Sequence, residues 1–243
     1  MDIASTEVST TLCIPLGRYI PLPEYDELNK MAWSAHLSAT DARAFGQGWL
    51  GMAQRALGAS KHYDAFAVAI KNGTNASHLE SYEQDEHFFG FVTNATAAAE
   101  NLIYAALALS YGLKGATPTA KELRVNRDDA LKAVIRSSVL AEFGLQLEKQ
   151  VDDEIARTLF EMRDVVLHRG RPPRNQYVGG PYSGKATVAS NPKAPSEEWD
   201  NDFVFDVSCL DAWADWLRRT IDIGMVVLFR CLNEAVKAPG KDS

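Results

Sequence analysis

From Phe88 to Leu109 the small and apolar residues of this chain fall at alternating steps of four and three: Phe88, Val92, Ala95, Ala99, Leu102, Ala106 and Leu109. That spacing keeps one stripe of an α-helix apolar over six turns and does not fit the two-residue alternation of a strand. It predicts a helix over roughly 79–112, and the density of alanine lets a neighbouring helix approach closely. Gly112 and Gly115 end it, and Pro118 marks the connection that follows.

The rest of the chain follows the same logic. Residues 11–23 carry three prolines among apolar residues and predict an extended arm or short edge strands. Thr40 is an N-cap candidate ahead of Phe45, Trp49, Met52 and Ala56, an amphipathic helix. A second, short helical run carries Tyr63, Phe66, Ala67 and Ile70, and the turn residues at 71–75 break it. Thr119 and Glu122 stand at capping-box spacing before a helical stretch with Leu131, Val134 and Leu140 or Phe143. One further helix is expected from about Leu145, through Leu147, Val151, Ile155, Leu159, Met162 and Val166, until Gly170, Pro172 and Pro173 stop it. Residues 171–202 are rich in Gly, Pro, Ser and Asn and offer no convincing element; Phe203 to Phe205 suggest a short extended piece. Ser208 and Asp211 open a final long helix with Leu210, Trp213, Leu217, Gly224, Leu228 and Cys231 on one face. The expected class is all-α, a bundle of at least four long helices. A proline-rich arm and helical extension would occupy 1–76, with the helical domain over 77–237.

Charge narrows the partners. With 25 Lys and Arg against 32 Asp and Glu the formal net charge is −7. A broadly basic nucleic-acid coat is excluded, so affinity for nucleic acid has to come from a local patch. Cys13, Cys209 and Cys231 are far apart and odd in number, which fits a reducing compartment and carries no metal signal. The first residues lack the basic and apolar regions of a signal peptide, and the longest small and apolar stretch is interrupted by Glu100 and Asn101. The expectation is a soluble cytoplasmic protein without membrane contact.

One local patch exists. Arg163-Asp164-Val165-Val166-Leu167-His168 closes the 145–169 pattern and runs into Arg169, Arg171 and Arg174. A fixed cation near a group that exchanges a proton close to neutral pH is what phosphodiester cleavage without a metal requires. On an ideal helix Arg163 and His168 lie about 140° apart around the axis, whereas Asp164 and His168 are i,i+4 neighbours, so Asp164 can orient the imidazole. Phe160 and Leu167 make a second partly apolar face. That face suggests a further covered surface, for which a second copy of the chain is the simplest candidate.

A helix ending in R-[polar]-x-x-x-H, after a long helix with a mid-helix Glu and before a loop and a last long helix, resembles the HEPN superfamily (higher eukaryotes and prokaryotes nucleotide-binding). The resemblance covers roughly residues 79–236. It implies a metal-independent endoribonuclease of the kind found in toxin and other defence systems. It also implies a homodimer lining one cleft with two motifs, and, for a toxin, a neutralising antitoxin partner. Arg163 and His168 match the motif's Arg and His, Asp164 its polar second residue, and Glu100 the mid-helix polar partner. The implied chemistry is attack of a ribose 2′-hydroxyl on the adjacent phosphorus, with His168 moving a proton and Arg163 neutralising phosphate charge. RNA alone carries that hydroxyl. No cofactor is implied. Arg169, Arg171, Arg174 and Lys185 would hold the RNA backbone.

Other readings stay open. His168 near a helix C-terminus is favoured by the helix dipole alone, and Arg163 can serve as an ordinary ion-pair partner. The same fold could act as a non-catalytic module that holds a nucleotide, RNA or a protein. Gly179 to Ala186 fits G-x-x-x-x-G-K but puts Ala186 where a P-loop requires Ser or Thr and a following helix. His78, Glu80, Glu83, Asp85, Glu86 and His87 are read as the solvated start of the long helix rather than as a metal cluster.

Overall fold

The computed structural model describes residues 22–34, 39–71, 78–114, 126–168, 174–176, 186–188, 203–205 and 207–237. The four-and-three stripe forms a helix of 35 residues, His78–Gly112, with Val92, Ala95, Ala99, Leu102, Ala106 and Leu109 all fully buried or nearly so. In chain order the described helices are α1 (Leu22–Ser34), α2 (Ala39–Lys71), α3 (His78–Gly112), α4 (Arg127–Ile135), α5 (Ala141–Val151), α6 (Glu154–His168) and α7 (Val207–Lys237). The protein is predominantly helical. No helix among the described residues is long and apolar enough to cross a membrane.

The sequence reading differs from this architecture at five places. The first is α1, which begins at Leu22 and Pro23, inside the stretch expected to be extended. Proline is tolerated in a first helical turn because its missing N–H would have no partner there, and Tyr25, Leu28 and Ala32 then fall on one buried face. The rest of the proline-rich segment lies outside the described residues. The second is α2, one helix of 33 residues where two runs were expected. Gly58 weakens the helix between Ala56 and Lys61 without breaking it, and Ala59 and Ser60 are buried in continuity with Phe66. The third is the stretch expected to carry Leu131, Val134 and Leu140 or Phe143, which is split: α4 starts at Arg127 behind Asn126, whose side-chain oxygen accepts from the Asp129 N–H at 2.8 Å, and ends at Ile135, while Phe143 belongs to α5. The Thr119 and Glu122 pair lies outside the described residues.

The fourth difference is the interruption of the helix expected over 145–169. Asp152 closes α5 by donating its N–H to the Glu148 carbonyl at 2.9 Å. Asp153 then caps α6, its Oδ1 accepting from the Ile155 N–H at 2.9 Å. Two adjacent aspartates offer the backbone alternative hydrogen bonds, and the helix stops and restarts there although the apolar spacing runs on. The fifth is a pair of strands where 171–202 had shown no element, β1 (Arg174–Gln176) and β2 (Ala186–Val188); they join β3 (Phe203–Phe205), the short extended piece that was expected, in an antiparallel sheet ordered β1-β2-β3. Arg174 pairs with Val188 and Ala186 with Phe205. Strands of three residues are too short for a period to be read.

The chain forms two compact units. The first comprises the segment up to Leu57, Ala97–Asp152 and the segment from Leu217 onward. Its core holds Tyr25 stacked on Trp49, and Phe45 on the same indole, with ring centroids 4.9 and 5.5 Å apart. Gly48 brings α2 against α3: a Cβ there would lie 2.9 Å from the Ala105 backbone nitrogen. The second unit comprises Gly58–Thr96 and Asp153–Trp216. Phe88 is the hub of its core, touching the rings of Phe66, Phe89 and Trp213.

Candidate functional site

The Arg163 segment belongs to the second unit, on the last turns of α6. Ala156, Leu159 and Met162 are buried and fix the roll of this helix. Phe160 is buried too, and its ring meets Trp216 at 6.1 Å with the planes 84° apart. The Phe160 ring also meets the residue one turn on. There the Arg163 guanidinium carbon lies 5.5 Å from the ring centroid, within the range of a cation–π contact. Trp216 belongs to the same chain, so the burial of Phe160 is accounted for without a second copy.

Arg163 is also held from the side. Its Nε and Nη2 donate to the same Asp164 oxygen at 3.2 and 2.9 Å. The arginine side chain is 21 % exposed and that of Asp164 47 %, so the cation is partly shielded while its carboxylate faces water. The Asp164 Oδ1 serves the guanidinium, while the expected contact of Asp164 with the imidazole of His168 lies outside the described residues, since the His168 side chain is not among them. A ring below and a carboxylate beside it restrict the rotamers of a flexible side chain, which lowers the entropy lost on gripping an anion.

His168 is the last residue of α6. At 1.5 Å per residue it stands about 7.5 Å further along the axis than Arg163. Of the proposed phosphate contacts, Arg174 opens β1 opposite Val188, while Arg169, Arg171 and Lys185 lie outside the described residues. Glu100 is half-buried on α3 and belongs to the first unit, the motif to the second. The residue after Lys185 begins strand β2, not the helix that a P-loop needs, so the glycine-rich segment is no P-loop.

The chain matches no family model, no curated protein and no solved structure.

One arrangement in the second unit escaped the sequence reading. His62 of α2 and His87 of α3 approach through their Nδ1 atoms to 3.4 Å. Burial first, then the neighbouring His87, hold the His62 imidazole below the ordinary histidine range, against the opposite pull of Glu86. His87 had been noted for its acidic neighbours on α3, but His62 lies on another helix, where only the helix pairing shows the contact. Among the described residues there is no group of three or more His, Cys, Asp or Glu suited to a metal ion.

Proposed function

We propose that the chain is a metal-independent endoribonuclease of the HEPN type, working as a homodimer in a toxin or defence setting. The observation that carries the reading is the restraint of Arg163, on Phe160 and beside Asp164, on the helix that His168 closes. A fixed guanidinium suits a phosphate oxygen whose charge grows as a 2′-hydroxyl attacks phosphorus. The P–O bond to the 5′-oxygen breaks in the same displacement and leaves a 2′,3′-cyclic phosphate. His168 moves a proton in that exchange. Asp164 orients the guanidinium, and Arg169, Arg171, Arg174 and Lys185 grip the strand through its backbone.

The contact between Arg163 and Asp164 also favours a second reading, a non-catalytic helical module for a nucleotide, RNA or a protein. A carboxylate beside the guanidinium offsets part of the charge that transition-state stabilisation needs.

Single-stranded RNA incubated with the purified protein in excess EDTA separates the two. The ribonuclease reading expects cleavage with cyclic or 2′/3′-phosphate ends, abolished by His168→Ala with RNA binding nearly intact. Arg163→Ala loses cleavage and part of the binding. Binding without cleavage leaves the module, and a His168→Ala variant that cuts at the wild-type rate removes the motif from the chemistry.

A further inference from the structure

In the second unit α2 and α3 meet along a ladder of small and polar residues. Asn94 lies over Gly58, where a Cβ would come within 2.8 Å of its Oδ1, and its Nδ2 donates to the Gly90 carbonyl at 2.7 Å. One turn along each helix the His62 ring lies against Gly90, and a Cβ at position 90 would stand 2.5 Å from its Nδ1. The absence of a side chain at 90 therefore seats the imidazole across the helix junction. From that seat it meets His87, one turn before Gly90 on α3. The two Nδ1 atoms share a hydrogen bond of 3.4 Å, with the rings tilted by 48°.

The state of this contact follows from the protons on it. A neutral imidazole carries one N–H, so a ring protonated at Nδ1 donates to the bare Nδ1 of its partner. One added proton leaves the contact intact, because an imidazolium donates from Nδ1 to a partner that still offers a lone pair, and the bond is then charge-assisted. A second added proton leaves two donors face to face with no acceptor, and two like charges at hydrogen-bond distance. We propose that the His62–His87 contact is a pH-sensitive latch between α2 and α3, closed while the pair holds at most one added proton and opened by the next.

The neighbouring charges leave this behaviour to the pair. Glu86, next to His87 on α3, draws a proton toward His62, but burial first and His87 after it outweigh that pull. Glu83, one turn before His87 on α3, and Lys61 and Asp64 on α2 are exposed, where water and salt screen them. On α7 the exposed Asp211 carboxylate accepts from the Tyr63 hydroxyl. The folded His62 takes a proton less readily than the unfolded chain does, so the unfolded state binds more protons once pH falls below about 6.5. The contribution of the closed latch is complete above that pH and is lost below it. His87 adjoins Phe88, whose ring joins Phe66 of α2 to Trp213 of α7, so opening removes a tie beside the hub of that core. The latch does not rest on the ribonuclease reading, since its readouts are titration and stability and not cleavage.

The test follows the imidazole resonances of the full chain by NMR from about pH 8 to about pH 5. His62 and His87 should each titrate in two steps, because each ring reports its partner's proton as well as its own. In His62→Ala the His87 ring should reduce to a single step. Gly90→Ala keeps both imidazoles but displaces His62 from its seat, and it should abolish the two-step behaviour as well. A double-mutant cycle of urea midpoints over His62→Ala and His87→Ala should give a favourable coupling at about pH 8 that vanishes or turns unfavourable at about pH 5. The wild-type titration decides the matter even where a variant does not fold. Independent single-step curves for the two rings in the wild type, or a coupling that stays the same at both pH values, would overturn the latch.

Discussion

Phe160 and Trp216 meet with their ring planes 84° apart and 6.1 Å between centroids, and the Arg163 guanidinium carbon lies over the same Phe160 ring, 5.5 Å from its centroid. Phe160→Leu removes the platform while keeping an apolar side chain. A partly buried cation–π contact is worth about 1–2 kcal/mol, so under the proposed ribonuclease reading single-turnover RNA cleavage should fall roughly five- to thirtyfold. Trp216→Phe thins the edge contact and spares the cation; it should cost about 1–2 kcal/mol of stability and leave the cleavage rate near wild type. Equal loss of cleavage in both variants would mean that packing, not the cation's support, governs the rate.

Asp164→Asn tests what the guanidinium is for. The amide keeps an oxygen that can accept from Nε and Nη2, and the compensating charge disappears. If Arg163 contacts an RNA phosphate, affinity should rise at low salt. The slope of log affinity against log salt should steepen by about 0.7, the increment of one further phosphate contact on a single strand. An unchanged slope would place Arg163 away from the strand.

The start of α6 depends on Asp153, whose carboxylate accepts from the Ile155 N–H. Asp153→Ala should destabilise the protein by about 1 kcal/mol, the usual value of an N-cap, read as a lower urea midpoint with an unchanged slope. Asp153→Asn keeps an acceptor and should recover most of the loss. Failure of that recovery would argue that the helix break owes nothing to the cap.

Burial, and after it the neighbouring Asp26 carboxylate, push the Tyr25 phenol well above the usual tyrosine range. The unfolded chain releases that proton near pH 10 and the folded chain retains it, so the contribution of this group is fully present below about pH 10 and declines as pH rises beyond it. Urea midpoints at about pH 8 and about pH 10.5 should therefore differ more in the wild type than in Tyr25→Phe. Parallel falls in the two proteins would show that other groups control alkaline unfolding.

Legibility in the sequence followed the length of each pattern. The α3 stripe runs for six turns and was placed within a residue of both ends, and the α7 face that carries Leu210, Trp213, Leu217 and Leu228 was equally plain. The interruption at Asp152 and Asp153 was hidden because Val151 and Ile155 keep a spacing of four across it. Side-chain competition for backbone N–H groups decided that break, and apolar periodicity is blind to it. At the candidate site the placement of Arg163, Asp164 and His168 on the last turns of a helix was legible. The platform under Arg163 was not, because Trp216 comes from another helix. The pairing of His62 with His87 was hidden for the same reason: a lone histidine on each of two helices carries no signal until the pairing brings them together.

The two units interleave along the backbone, and this limits how the protein can be dissected. Gly58–Thr96 and Asp153–Trp216 make one unit, yet Ala97–Asp152, which belongs to the other, runs between them. Trimming both ends of the polypeptide cannot release the portion that bears Arg163 and the paired imidazoles as a contiguous fragment. A functional minimum for this chain has to be sought by side-chain replacement, not by truncation, and a nonsense or frameshift allele upstream of α7 should behave as a complete loss.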